Sequence, residues 1–213
     1  FLILKGWKTL DFLTYHSARG LQLETLYSSC LMMLNYCGMP VHVTYGYGAF
    51  NLLSPHTQFF VAVSTFVVLL STLVLFLLFV KGLMKKRNTI KPMAIDPKLN
   101  YAKAMPQQFI QVIMVTLLFS MLFSKVFSPQ YILWIVPIFA LLSFKHIYNK
   151  IAAALFIIAC ALTTPIFPYM YFTEFIHNSI NLPYYVYLWE APTLKATVLL
   201  FTRNLFLLST AIV

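Results

Sequence analysis

The stretch Gln58–Val80, QFFVAVSTFVVLLSTLVLFLLFV, decides the fold class. It carries no charged side chain and is longer than the ~20 apolar residues that a helix needs to cross about 30 Å of hydrocarbon. Directly behind it come Lys81, Lys85, Lys86, Arg87, Lys91, Lys98 and Lys103, seven of the chain's 15 Lys and Arg, with Asp96 the one acid among them. An uncharged span stopped by a basic loop reads as a transmembrane helix whose basic end faces the cytoplasm.

The rest of the chain has the same character. Of 213 residues, 61% are apolar, 17% aromatic and 9% charged, against about 25% charged in an ordinary soluble domain. That balance excludes a soluble globular domain, a disordered chain, a coiled coil and a disulfide scaffold. A net charge of +10 would suggest nucleic acid as the partner of a water-soluble protein. Here the basic residues gather between apolar spans and report topology, so no nucleic-acid partner is expected. Cys30, Cys37 and Cys160 have no metal-ligand spacing, so no zinc is expected. Cys30 and Cys37 read as free membrane thiols, with pairing on an oxidising face as the alternative. Phe1–Lys8 lacks the charged-then-apolar order of a signal peptide, and the expectation is that the sequence begins inside a longer protein.

Four more windows read as spans. Gln107–Phe144 contains one charged residue, Lys125, with Pro129 close behind it, and reads as a helical hairpin turning near 125–130. Ile151–Tyr171 and Lys195–Val213 complete the set. The expected fold class is therefore an all-α polytopic membrane protein with about five transmembrane helices and an outer-face interfacial segment. Residues 1–57 form that segment and 58–213 the bundle, with a basic loop over 81–105 and an outer loop over 172–194. If the basic loop is cytoplasmic, alternation puts the 125–130 turn outside, Lys145, His146 and Lys150 inside, and Glu174 and Glu190 outside. Asp11–Thr57 then lies outside too. Its Pro40, Gly46, Gly48 and Pro55 suggest surface helices and loops, and Leu26–Cys37 is too short to cross. Tyr184, Tyr185, Tyr187 and Trp189 would form an aromatic belt at that face.

The densest polar stretch is Tyr15-His16-Ser17-Ala18-Arg19-Gly20-Leu21-Gln22-Leu23-Glu24. A helix starting near Ser17 would set His16, Arg19 and Gln22 within about 120° of one face and turn Glu24 away. Arg19 could then hold a phosphate through its planar fork. The competing reading pairs Arg19 with Glu24, Asp11 or lipid headgroups. Lys125 lies on the same side, between apolar arms, where a charge needs the surface or a wet cavity. Gln130 and Tyr131 beyond it could project donors into such a cavity. Thr44-Tyr45-Gly46-Tyr47-Gly48 has the pattern of a potassium-channel filter. Pro40 breaks any pore helix before it and no acid follows, so a glycine-bearing interfacial turn is expected, with Asn51 capping it or binding. His42, His56, His146 and His177 stand alone and suggest no metal site, and Glu174 and Glu190 read as solvated loop charges.

Taken together, Tyr15-His16-x-x-Arg19-Gly20-Leu21-Gln22-x-Glu24, Tyr45-Gly46-Tyr47-Gly48 with Asn51, and Ser128-Pro129-Gln130-Tyr131-x-x-Trp134-x-x-Pro137 resemble the C-terminal half of polytopic glycosyltransferases of the GT-C superfamily. The similarity is to the polyprenyl-phosphate-sugar-dependent group related to the mannosyltransferases of glycosyltransferase family 87, and it spans most of residues 11–140. The resemblance implies a membrane enzyme that moves a sugar, such as mannose, from a polyprenyl-phosphate donor to a glycan, lipid or protein acceptor on the outer face. A phosphate leaving group needs cationic and hydrogen-bonding groups to hold its developing charge. Arg19 is the first candidate, with Lys125 and His16 second, while Gln22, Gln130, Tyr131 and Asn51 would orient substrate hydroxyls. The acceptor hydroxyl needs a carboxylate base. The resemblance places that base in an N-terminal part that precedes this stretch or in a partner membrane subunit, leaving Asp11 and Glu24 as the carboxylates at hand. A divalent metal is compatible with this chemistry and not required by it. The alternative is a non-catalytic membrane subunit or transporter that binds an anionic lipid headgroup through Arg19 and Lys125.

Overall fold

Apolar runs buried in lipid fold as helices because a helix satisfies its own backbone donors and acceptors. The computed structural model describes residues 15, 18–89, 106–180 and 188–213. Its elements in chain order are β1 (Leu21–Gln22), α1 (Leu26–Asn35), β2 (His42–Gly46), β3 (Ala49–Leu53), α2 (Thr57–Thr89) and α3 (Pro106–Leu122). A 3-10 turn (Pro129–Trp134) and α4 (Val136–Ala140) follow, then α5 (Ile147–Thr164) with its continuation Pro165–Phe175, β4 (Ser179–Ile180), β5 (Leu188–Trp189) and α6 (Leu194–Ile212). The chain is mostly helical, and three helices are long and apolar enough to cross a membrane: Thr57–Gly82, Ile147–Phe175 and Leu194–Ile212.

The expected hairpin over 107–144 is only half a helical hairpin. Its first arm is α3, but its second is divided into the 3-10 turn and α4, with a proline in the first turn of each. Pro129 and Pro137 suit helix starts and remove the donors that one continuous helix would need. Proline also shapes the next span, where Phe167 is extended (φ −124°, ψ 125°) ahead of Pro168, as crowding by the proline ring favours. α2, in contrast, continues past Val80 and carries Lys81–Arg87 on its last turns. The remainder of the basic loop, 90–105, lies outside the described residues.

The all-α expectation needs a correction in the segment before Thr57. In place of helices and loops over 42–53, β2 and β3 form a hairpin whose turn, Tyr47-Gly48, has φ of 55° and 72°. Paired positive φ values give a turn whose twist matches the strands. The five strands pair antiparallel in the order β1-β3-β2-β5-β4, so the first segment and the 172–194 region share one sheet. Antiparallel partners point to the same side. Leu21, Val43 and Leu52 face the core, and Gln22, Thr44 and Asn51 face the other way.

Two apolar clusters fill the interior. One, under the sheet, joins Leu21, Leu31, Val43, Leu52, Phe175 and Leu200; the other joins Leu118, Ile135, Phe139, Phe156 and Leu207 among the helices. α6 runs through both. Its apolar window is 44% buried against 6% for α2, so α6 is the axis of the fold while α2 lies at the periphery against α3. The sheet marks one end of the bundle. There the Thr57 hydroxyl donates to the Leu52 carbonyl (3.3 Å), and the Thr193 hydroxyl donates to Glu174 (2.6 Å). Toward the far end, the Gln111 amide donates to Asn149 (3.1 Å) and ties α3 to the first turn of α5. The 3-10 turn and α4 therefore carry the chain from the sheet end to the far end in short pieces.

Placing a side chain on Gly48 forces an L-residue into the left-handed region at a cost of about 1–2 kcal/mol. Gly48→Ala is expected to lower the thermal unfolding midpoint in detergent, and an unchanged midpoint would show that this turn does not hold the hairpin.

Candidate functional site

The polar centre of the molecule is on α6. Arg203 lies about 14 Å along that helix from Leu194 at 1.5 Å per residue, and it is 0% exposed. A guanidinium so placed needs a partner for its charge and for its N–H groups. Its Nη1 donates to Glu24 Oε2 (2.8 Å), Nη2 donates to the Glu24 carbonyl (2.8 Å), and Nε and Nη2 both donate to Asn204 Oδ1 (3.2 and 2.8 Å). The Asn204 amide in turn donates to the Glu24 and Thr25 carbonyls (3.4 and 3.3 Å) and to Ser29 Oγ (3.2 Å). The Arg203 Cζ lies over the Phe127 ring, 4.8 Å from its centre, a cation–π contact. Glu24 is itself 1% exposed. Burial pushes its carboxyl up from the ordinary range, and the charge and hydrogen bond of Arg203 work against that push.

Glu24 is held there by the start of α1. Thr25 is the N-cap, its hydroxyl accepting from the Ser28 N–H (3.1 Å) and donating to Ser28 Oγ (2.9 Å). Ser28 Oγ donates to the Gln22 carbonyl (2.7 Å), which also accepts from the Thr25 N–H (3.1 Å). α1 is thus a half-helix that starts beside Arg203 and runs back along α6, where the Tyr36 hydroxyl donates to the Pro192 carbonyl (3.0 Å).

The turn at Gln22–Thr25 leads to the residues that the sequence marks for phosphate. The Gln22 N–H donates to the Lys125 carbonyl (2.9 Å). Gln22 faces Asn51 across the β1–β3 pair, and Gly20 lies against the Asn51 side chain. The Asn51 amide donates to the Gly46 and Ala49 carbonyls (3.0 and 3.1 Å), so this residue caps the hairpin turn. Gln22 is buried and its Oε1 has no hydrogen-bond partner among the described residues. Arg19 is partly exposed and makes no ion pair among the described residues. Its charge reaches Lys125, whose ammonium is pushed below the ordinary lysine range by burial first and by Arg19 second.

The fold therefore gathers Arg19, Gln22, Asn51 and Lys125 around β1. Gln130 is exposed, and Tyr131 stacks on Trp134 with ring centres 4.8 Å apart. His16 and Asp11 lie outside the described residues. Two local expectations are corrected. Arg19 and Gly20 are not helical and Leu21–Gln22 is a strand, so no helix from Ser17 sets the relation of Arg19 to Gln22. Glu24 pairs with Arg203, not with Arg19. Arg203 and Asn204 were not among the sequence candidates, although a lone arginine in the middle of an apolar span is itself a sign of a buried partner. Glu190 accepts from the Asn178 amide (3.0 Å), and together with the Thr193–Glu174 bond this makes Glu174 and Glu190 fasteners of the loop between α5 and α6. Among the described residues no group of His, Cys, Asp and Glu is placed to hold a metal, and all three cysteines are free.

Compared with protein-family models, curated proteins and solved structures, the chain gives no match.

Removing one partner of a buried ion pair leaves the other charge uncompensated, at a cost of about 3–5 kcal/mol. Glu24→Ala is expected to unfold at much lower denaturant than the parent chain. The double variant Glu24→Gln/Arg203→Met, which removes both charges, is expected to recover most of the loss.

Proposed function

We propose that this chain is the phosphate-binding part of a membrane glycosyltransferase that takes a sugar, such as mannose, from a polyprenyl-phosphate donor and passes it to an acceptor on the extracytoplasmic face. The observation that supports this reading best is the backbone bond from Gln22 to Lys125. It joins Arg19-Gly20-Leu21-Gln22-x-Glu24 to the turn that leads into Ser128-Pro129-Gln130-Tyr131, and the joint occurrence of those two motifs is part of what carries the resemblance to GT-C enzymes. Two cations close enough for the charge of Arg19 to be felt at Lys125 suit an anion. Arg19 offers a planar fork to phosphate oxygens and Lys125 a compact charge, and both gain strength as negative charge grows on the departing phosphate. The unpartnered Gln22 Oε1 is an acceptor suited to a sugar hydroxyl.

In this reading the sheet end is extracytoplasmic and the α2 end bearing Lys81–Arg87 cytoplasmic, with five passes once α3 and the broken arm over 129–144 are included. Glu24 is committed to Arg203 and is therefore not the base that takes the acceptor proton in this reading. That same commitment favours a second reading, a subunit that binds an anionic lipid headgroup without catalysis. Transfer of labelled mannose from mannosyl-phosphoryl-polyprenol in membranes separates the two.

Arg19→Ala is expected to lower transfer about 100-fold or more while expression and helical content stay unchanged; near-parental transfer by this variant would end the phosphate role. Binding of a phosphodiester lipid, whose own charge is constant, requires charged Lys125. Because its ammonium is held below the ordinary lysine range, affinity is expected to fall with rising pH sooner than an ordinary lysine would dictate. Lys125→Arg is expected to flatten that profile, and an equal fall in both proteins would exclude Lys125 from the site.

A further inference from the structure

We infer that Arg203 is the positioning residue of the phosphate site: one guanidinium on α6 holds both segments that carry Arg19 and Lys125 and so sets the spacing of the two cations. This rests on the phosphate-binding role proposed for those residues.

The two segments are far apart in sequence, and each meets Arg203 through a different part of the side chain. The edge of the guanidinium binds the carboxylate and the carbonyl of Glu24, which ends the Arg19–Glu24 piece. Its Cζ also lies over the ring of Phe127, two residues after Lys125. From Glu24 the constraint passes to Gln22 through the Thr25 N–H and Ser28 Oγ, both donating to the Gln22 carbonyl, and from Gln22 N–H to the Lys125 carbonyl. The triangle closes on itself: Arg203 to Glu24, Glu24 by way of Gln22 to Lys125, and Lys125 by way of Phe127 back to Arg203. Stability alone does not call for such a device, since apolar residues of similar volume commonly replace a buried ion pair at no net loss. A planar fork with a stackable face contributes direction, which neither a lysine nor an apolar side chain reproduces. Direction matters at a site whose donors must be in place before charge develops, where a displacement near 1 Å costs up to about 100-fold.

The test measures binding of farnesyl phosphate and of farnesol to the purified full chain in detergent micelles. The parent chain is expected to bind the phosphate much more tightly than the alcohol. Arg203→Lys keeps the charge but not the fork or the flat face, and is expected to lose about tenfold in affinity for farnesyl phosphate with farnesol binding and helical content unchanged. Equal phosphate affinity in parent and Arg203→Lys overturns the inference, and a parallel loss of both ligands assigns Arg203 a structural role only. Phe127→Leu, which leaves the ion pair whole, is expected to lose affinity for the phosphate alone; if Arg203→Lys fails to fold, an unchanged affinity in this second variant overturns the inference. A parent chain that does not distinguish phosphate from alcohol sinks the proposed function itself.

Discussion

A charge cannot be left alone in an apolar interior, and the fold is arranged around that constraint at Arg203. The residue lies on the one helix that runs through both hydrophobic clusters, between Leu200 of the first and Leu207 of the second. Its partners cannot come from a neighbouring turn of α6, because the carboxylate it needs is at Glu24, near the other end of the chain. Meeting that need draws the chain from the sheet down beside α6, and α1 then returns it, capped at Thr25 and stitched to Asn204 through Ser29. The sheet follows in turn: β1 precedes Glu24 directly, and β5 precedes α6, so both are delivered to the same end of the bundle.

Hydropathy made the long helices legible. Gln58–Val80 needs no tertiary information, because lipid rewards any uncharged run of sufficient length that closes its own hydrogen bonds, and Lys195–Val213 is apolar enough to be read as a span even with Arg203 inside it. The broken arm over 129–144 was less legible, since apolar composition alone does not say that Pro129 and Pro137 each start a new short helix. The sheet was least legible of all. β1, β4 and β5 are two residues each, too short for alternation to show; β1 and β5 pair with the two edges of the β2–β3 hairpin, and β4 pairs with β5 in turn.

The candidate site divides in the same manner. Arg19, Gln22, Asn51 and Lys125 stood out as polar residues in an apolar chain, and the fold assembles them, although by strand pairing and a backbone bond to Lys125 instead of by the face of a helix. Asn51 proved to be a cap, one of the two roles open to it. Arg203 was hidden because its span passes a hydropathy threshold with the charge included. A residue that costs too much to bury alone is better evidence of a tertiary contact than any number of leucines, and the matching clue was Glu24, an acid at the end of a polar stretch with no cation in helical register.

Permanence separates the two kinds of cation in this structure. Arg203 is committed: four hydrogen bonds, the Phe127 ring centre 4.8 Å from its Cζ and no exposure. Fully buried, it has no surface to offer a ligand. Arg19 is partly exposed and makes no ion pair among the described residues, and its charge is felt at Lys125. In the function proposed above, the repulsion between two nearby cations would favour the bound phosphate. On the inference drawn above, Arg203 is the rigid part that keeps the two cations spaced, and a fully buried, paired charge is suited to that task because no ligand competes for it.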